Sequence, residues 1–478
     1  MRTYARVAVL VLLAGCAVGP NYKKPEVATP EQFYGDTAAV VARSLADLPW
    51  WGVYQDTVLT SLIRQALDSG YSVRYAAARV EEARARYGVA KSQFYPQVNY
   101  GAGASQQRLP TNLSGGTGEP GDFYTASVSA SWEIDLWGRI RRLNQQAKAQ
   151  YLATEEAQRG VALSLTTELA ESYFQLRELD ALLIIARSTA DNFQATYDMF
   201  QRQVQGGVAS AIQTYRAEAA LANALATIPD LERQIVAREN QITLLLGRGP
   251  GPVPRGLELA AQPQPAEIPA GLPSTLLLRR PDVRGAEQQL IAANANVGAN
   301  IAAMFPTISL TGLFGAASPE LNTMFGAGTV WSVGAGLLGP LFQGGKLRKN
   351  VAIAKAQFQQ ALILYEQAVN NSFGEVSTQL AAWQKLAQSE HEVVREVHAY
   401  QESVRLANVR YLSGLSSYVE VLDAMNLLFP AENNLAQVRL QRLVALAEFY
   451  KALGGGWQVE EAQAAAAADS VKAAEQKK

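Results

Sequence analysis

The sequence predicts a mainly α-helical protein that also carries transmembrane β-strands, with one structural unit written twice. Three observations carry this: an internal repeat, four segments that alternate apolar and polar residues, and two uninterrupted helical stretches of unusual length.

The repeat has a period of about 207–210 residues. Val73-Arg74 recurs as Val283-Arg284, and the stretch ending in Tyr95-Pro96 recurs as the one ending in Phe305-Pro306. Gly138-Arg139-Ile140-Arg141 matches Gly345-Lys346-Leu347-Arg348, and Ala147-Lys148-Ala149-Gln150 matches Ala354-Lys355-Ala356-Gln357. Gly207 answers to Gly414, and Leu246-Gly247 to Leu453-Gly454. So constant a register marks duplication of a whole unit. The predicted organisation is a leader over 1–15, a first repeat over 16–246, a linker over 247–273, a second repeat over 274–457 and a disordered tail over 458–478. The linker holds Pro250, Pro252, Pro254, Pro263, Pro265, Pro269 and Pro273, a composition incompatible with helix.

Each repeat opens with a helix, over Thr57 to Phe94 and Ser274 to Met304, which Pro96 or Pro306 closes. A β-hairpin follows, 97–136 in the first copy and 307–342 in the second. Val98, Tyr100, Ala102 and Ala104 alternate with Gln97, Asn99, Gly101, Gly103 and Ser105. Tyr124, Ala126, Val128, Ala130, Trp132, Ile134 and Leu136 alternate with small or polar residues. Ile308, Leu310 and Phe314, then Trp331, Val333, Ala335 and Leu337, do the same. Period two over such lengths is the signature of a strand with unlike faces. No charge occurs from Phe123 to Trp132 or from Leu321 to Gly345, and Tyr100, Tyr124, Trp132 and Trp331 suit interfacial aromatic belts. Tilted strands of about ten residues cross a bilayer. Four strands cannot close a barrel, and lipid does not tolerate an open edge, so several chains must share one. Two chains would give eight strands and a filled interior; three would give twelve and a lumen.

After each hairpin comes a helical hairpin, 138–246 and 345–453. The stretch from Gly138 to Gln205 has no proline and would reach ~100 Å as one helix. Leu165, Leu169, Tyr173, Leu176, Leu179 and Leu183 recur near a 3.5-residue spacing, as in a coiled-coil seam. Gly345 to Leu412 repeats the design. The returning helices hold Pro229 and Pro430, which predict kinks.

The N-terminus reads as a leader. Arg2 and Arg6 precede a short apolar run, Val7 to Ala14, that is too short to span a bilayer. It ends in Leu13-Ala14-Gly15-Cys16, which resembles the lipobox of bacterial lipoproteins; Cys16 is the expected lipidation site, and Ala17 after it favours the outer membrane. With 42 basic and 43 acidic residues the chain has no excess charge for nucleic acid. Two histidines and one cysteine leave little for a metal site, and no cofactor is expected. His391 and His398 lack the spacing of a zinc hydrolase, and no nucleophile elbow or phosphate loop is present, so no catalytic residue is expected.

Pro49-Trp50-Trp51, Leu62-Ile63, Ala66-Leu67, Ala78-Arg79-Val80 and Ala83-Arg84-Ala85 resemble the opening segment of the TolC/OprM outer membrane factors. Arg279-Arg280-Pro281-Asp282-Val283-Arg284, Ala292-Ala293-Asn294-Ala295 and Phe305-Pro306 resemble their second such segment. Tyr411-Leu412-Ser413-Gly414, Val421-Leu422-Asp423-Ala424 and Tyr450 to Trp457 resemble the close of the NodT-type lipoprotein branch. The resemblance implies a homotrimeric outer-membrane β-barrel of twelve strands continued by a long periplasmic α-helical barrel. It also implies a passive exit duct for drugs or other small toxic compounds, served by a periplasmic adaptor and an inner-membrane transporter, usually of the RND type. A type I protein-export duct and a non-conducting trimeric scaffold are the alternatives.

A duct needs a gate, and the turns between long and returning helices are its expected place. These are Gly206, Gly207, Val208 and Ser210 in one copy and Ser413, Gly414, Leu415 and Ser416 in the other, and by resemblance they also dock the adaptor. Glu420 and Asp423 share a helical face just inside the second turn; matching acidic residues ring the family's constriction, although glutamate here replaces an aspartate. Arg216 is expected to pair with one of them across neighbouring hairpins, and Tyr215 and Tyr418 to act as plugs.

Overall fold

The computed structural model describes residues 17–34, 44–108, 118–208, 210–265, 273–324, 326 and 328–455. Cys16, the leader and the tail from residue 456 lie outside the described residues. In chain order the elements are α1 (Trp50–Val53), α2 (Thr57–Ser69), α3 (Tyr71–Ser92), β1 (Gln97–Arg108), β2 (Pro120–Ile134), α4 (Arg139–Gln205) and α5 (Ala211–Leu245). Then follow α6 (Pro273–Arg279), α7 (Pro281–Ala302), β3 (Thr307–Ser318), β4 (Thr329–Leu338), α8 (Lys346–Leu412) and α9 (Tyr418–Ala452). The duplication is visible in the lengths: α4 and α8 have 67 residues each, and α5 and α9 have 35 each. Both returning helices continue through their prolines, Pro229 and Pro430.

The chain divides into two compact units. The first comprises Met1–Glu26, Arg79–Glu155 and Gly285–Glu366 and contains one sheet, ordered β1-β2-β3-β4 and antiparallel throughout. The register aligns the apolar residues of all four strands. Tyr100 faces Val128, Val128 faces Phe314, and Phe314 faces Trp331. A second row runs Val98, Ala130, Gly312, Val333, and a third Trp132, Leu310, Ala335. Because side chains alternate, the same register puts Gln97, Ser131, Thr311 and Gly334 together on the opposite face. The outer edges of β1 and β4 have no strand partner among the described residues.

At the strand–helix junction Trp137 stacks on Phe305 at 4.8 Å and its indole N–H donates to the Pro306 carbonyl at 2.8 Å. The segment after Cys16 is strapped to this junction. Val18 N–H donates to the Trp137 carbonyl at 3.0 Å, and Asn294 donates to that of Pro20 at 3.1 Å. Ala17 lies so close to Gly138 that a Cβ there would come within 2.6 Å of the Ala17 Cβ, so only glycine fits.

The second unit comprises Val27–Ala78, Glu156–Arg284 and Gln367–Lys478. The expected seam is its core: Leu165, Leu169, Tyr173, Leu176 and Leu179 are buried, and Leu183, the last of the series, is half-buried. The structure corrects the opening helices, each of which is two helices rather than one. The breaks fall at Gly70 and at Arg280-Pro281, equivalent positions of the two copies. Each break receives the end of a returning helix. Ser69 donates to the Leu246 carbonyl at 2.9 Å, and Arg280 to that of Ala452 at 2.8 Å. A Cβ on Gly70 would meet the Leu245 carbonyl oxygen at 2.9 Å. The close approach of the returning helix stops the opening one.

Candidate functional site

Two places in the molecule are unlike ordinary protein surface: the faces of the sheet and the turns joining long to returning helices.

On the sheet, large apolar side chains stand in the open. Tyr100, Trp331 and Val333 are 90%, 73% and 81% exposed, and Phe314 and Leu337 are exposed beside them. In water such a patch would drive association or aggregation; in hydrocarbon it is a favourable contact. The opposite face is made mostly of Gly, Ser, Thr, Asn and Gln, with Phe123, Leu313, Ala317, Val330 and Leu338 as apolar exceptions. One apolar and one polar face, with no charge between Phe123 and Trp132, is how a lipid-facing wall with a wet interior is built.

The two helical turns are alike in atomic detail. In the first, Val208 N–H donates to the Gln203 carbonyl at 2.9 Å and Gly207 N–H to that of Val204 at 3.0 Å. In the second, Leu415 N–H donates to Arg410 and Gly414 N–H to Tyr411, both at 2.9 Å. This is the Schellman closure, which needs a left-handed residue. Gly207 and Gly414 supply it, each with φ +72°. Behind the turns all four long helices share one buried cluster, including Phe193 and Phe200 of α4, Ala217 and Leu221 of α5, Ala407 of α8, and Val421 and Leu422 of α9. In front of it, Val208, Ile212, Leu412 and Leu415 are exposed. Ser210 caps α5 by accepting from Ile212 N–H at 3.4 Å, whereas Ser413 lies within the second turn and Ser416 precedes the Ser417 N-cap of α9.

The residues expected at a gate separate into two groups. Glu420, Asp423, Arg216 and Tyr215 are exposed near the turns. Tyr418 is not: it is 6% exposed, edge-on to Phe200 at 4.9 Å and Tyr411 at 5.0 Å, with its hydroxyl bonded to Thr196. Its ring fastens α9 to α4 and α8, so within the chain it packs the tip rather than projecting as a plug. Within the single chain Glu420 has another cation. Glu420 accepts from Arg410 at 3.1 Å, across its own hairpin. Arg410, at the end of α8, was missed from the sequence; its position ten residues before Glu420, across a glycine turn, was the available signal.

Two carboxylate sites in the second unit, one buried and one half-buried, also escaped notice. Asp56 caps α2 by accepting from Val58 and Leu59 N–H, and it also accepts from Tyr173, Gln262 and Leu257 N–H. Burial alone would raise its pKa, but the bonds from Gln262, Leu257, Leu59 and Tyr173 outweigh burial and hold it below the ordinary carboxylate range. Glu171 behaves oppositely. Burial, then the hydrogen bond and the charge of Glu448, push it up to about 8, with Lys451 opposing. Among the described residues no group of His, Cys, Asp and Glu could hold a metal ion, and no helix is long and apolar enough to cross a membrane.

An amphipathic sheet too small to close, joined to paired helices of 67 residues, defines a membrane channel subunit of the outer-membrane type. The sequence profile of the outer membrane efflux protein family matches residues 62–248 and again 272–455, once for each repeat. The chain belongs to the outer membrane efflux protein family. It is similar to the toluene efflux pump outer membrane protein TtgC of Pseudomonas putida, at 36% identity over 95% of both chains. It is likewise similar to the cation efflux system protein CusC of Escherichia coli, at 34% identity over 94% of this chain and 98% of CusC. Its fold matches the open-state MtrE outer membrane channel of Neisseria gonorrhoeae with a TM-score of 0.84 and 33% identity, over 92% of this chain and 98% of MtrE. The protein is thus an outer-membrane channel component of an efflux system.

Proposed function

We propose that three copies join their sheets, β4 of one to β1 of the next, into a twelve-stranded barrel with the polar faces inward. Four long helices per copy continue the duct into the periplasm. The observation that carries this is the sheet itself, apolar on one side, mostly small and polar on the other, and unpaired along both edges among the described residues. The trimer is a passive exit for drugs or other small toxic compounds. A periplasmic adaptor joins it to an inner-membrane transporter of the RND type, which supplies the energy. The identities to a toluene duct and a cation duct differ by only two percentage points, 36% against 34%, so overall likeness does not choose the cargo. Five methionines and two histidines offer no soft-metal path, which favours organic compounds.

Cys16 is the lipidation site. The residues that follow it, Ala17 and Val18, are held against the strand–helix junction, which supports an anchor near the membrane surface. The exposed apolar residues Val208 and Leu415, with Gly206, Gly207, Ser210, Ser413, Gly414 and Ser416, form the adaptor-docking tips. Glu420, Asp423 and Arg216 line the constriction, with Tyr215, 69% exposed, as the remaining aromatic plug. Planar-bilayer recording of the purified protein tests the reading. Stepwise ion conductance is expected, larger in the Glu420→Ala/Asp423→Ala variant. A protein that never conducts would be a scaffold, and unchanged conductance in the variant would remove the acidic gate.

A further inference from the structure

At the start of α4 three arginines lie within four residues, and among the described residues two of them have an acid. Arg139 pairs with Glu133 at 2.7 Å and Arg141 with Asp135 at 3.2 Å. Arg142 is 3% exposed, and among the described residues its guanidinium donates to neutral acceptors: Asn21 Oδ1 at 2.9 Å, Gln145 Oε1 at 3.1 Å and the Gly19 carbonyl at 3.3 Å. Its Nε is buried without a partner. A buried charge with no counter-charge is unfavourable in ordinary proteins, so a buried group left this way calls for a missing ion.

The surroundings say which sign and kind of ion. Arg142 and Lys148 line one cavity of about 330 Å³ in the first unit, and no carboxylate lines it. The nearest acid in sequence to that lining, Glu287, is held by Lys24 at 2.8 Å and by Tyr22. Asn21, Tyr22, Gln145 and Asn294 add polar atoms, and Leu152 and Ile291 give an apolar wall. The cavity adjoins the strap that starts after Cys16. Arg142 lies three residues past the first residue of α4, about 5 Å along the axis, within the depth of a headgroup layer bordering a ~30 Å hydrocarbon core.

We propose that this cavity binds the phosphate of an anionic lipid headgroup beside the N-terminal strap, with Arg142 and Lys148 as its cations. The proposal rests on the membrane reading of the sheet. Paired basic side chains against an apolar wall suit a phosphate that carries a glyceride. Binding would fix the strap to both the membrane surface and α4.

The test is native mass spectrometry of the delipidated oligomer, titrated separately with dioleoylphosphatidylglycerol, with dioleoylglycerol and with inorganic phosphate. Wild-type protein should retain the phospholipid and not the diglyceride, and the exposed substitution Lys148→Gln should weaken retention at least about fivefold. Arg142→Gln should weaken it further. Inorganic phosphate that displaces the lipid would assign recognition to the phosphate; failure to displace it would assign it to the intact headgroup and glyceride. Equal retention of phospholipid and diglyceride, or wild-type retention in both variants, would overturn the proposal. Loss of conductance in the wild-type preparation would strike the channel reading instead.

Discussion

Asp56 is 1% exposed and joins the N-terminus of α2 to Tyr173 of α4 and to Leu257 and Gln262 of the crossing linker. Replacing it by alanine strands several buried donors and should cost about 2–4 kcal/mol. The sign of its pH effect follows from its lowered pKa. Its stabilisation is complete above the unfolded value near 3.9 and is lost as pH falls through the lower folded value. Melting temperatures from pH 7 to 2 should therefore show an acid-side decline that is shallower in Asp56→Asn. Glu171 acts in another window. The fold favours its neutral form, so folding takes up a proton between about 4.3 and about 8, and stability falls as pH rises through that range. Glu171→Gln should flatten the decline between pH 5 and 8 and raise the melting temperature at pH 8; a parallel profile in the variant would show that the pair does not share a proton. Neither site was legible in the sequence. A lone Asp before a helix announces a cap, but its other partners lie more than a hundred residues away.

At the scale of elements, much was legible, because period and length are local properties. The alternation in β1 to β4 and the proline-free runs of α4 and α8 located these elements to within a few residues. What escaped were features fixed by contact. A returning helix ends against the breaks at Gly70 and Arg280, the second of which Pro281 also favours. Tyr418 reads as surface near a turn, yet it is buried because α4 and α8 close over it. The strap after Cys16 has no period to detect. The sheet predicts unequal responses on its two faces. Val333→Arg, on the apolar face, should destabilise the assembly by about 2–4 kcal/mol near mid-membrane, whereas Ser332→Arg, its neighbour on the polar face, should fold and shift ion selectivity toward anions. Urea titration in vesicles and reversal potentials would measure both; equal destabilisation would mean the faces are wrongly assigned. At the tips, Gly207→Ala and Gly414→Ala meet open space, so each should cost only the left-handed strain of about 1 kcal/mol. Hydrogen exchange should quicken at the altered turn and leave the sheet protected.

The whole molecule is governed by what one chain lacks. Among the described residues its sheet has two bare edges and an exposed apolar face, conditions that neither water nor lipid permits in isolation. The duplication supplies two hairpins and two long helical pairs, which suffice for one third of a hollow barrel. This need for partners was readable from the strand count, since it depends on how many strands the chain has and not on how they pack. The direct measurement is the mass of the protein in mild detergent, determined with its β-sheet circular dichroism intact. The account predicts three chains per particle. A single chain that keeps its sheet signal would contradict it, because the strands would then be sealed without neighbours.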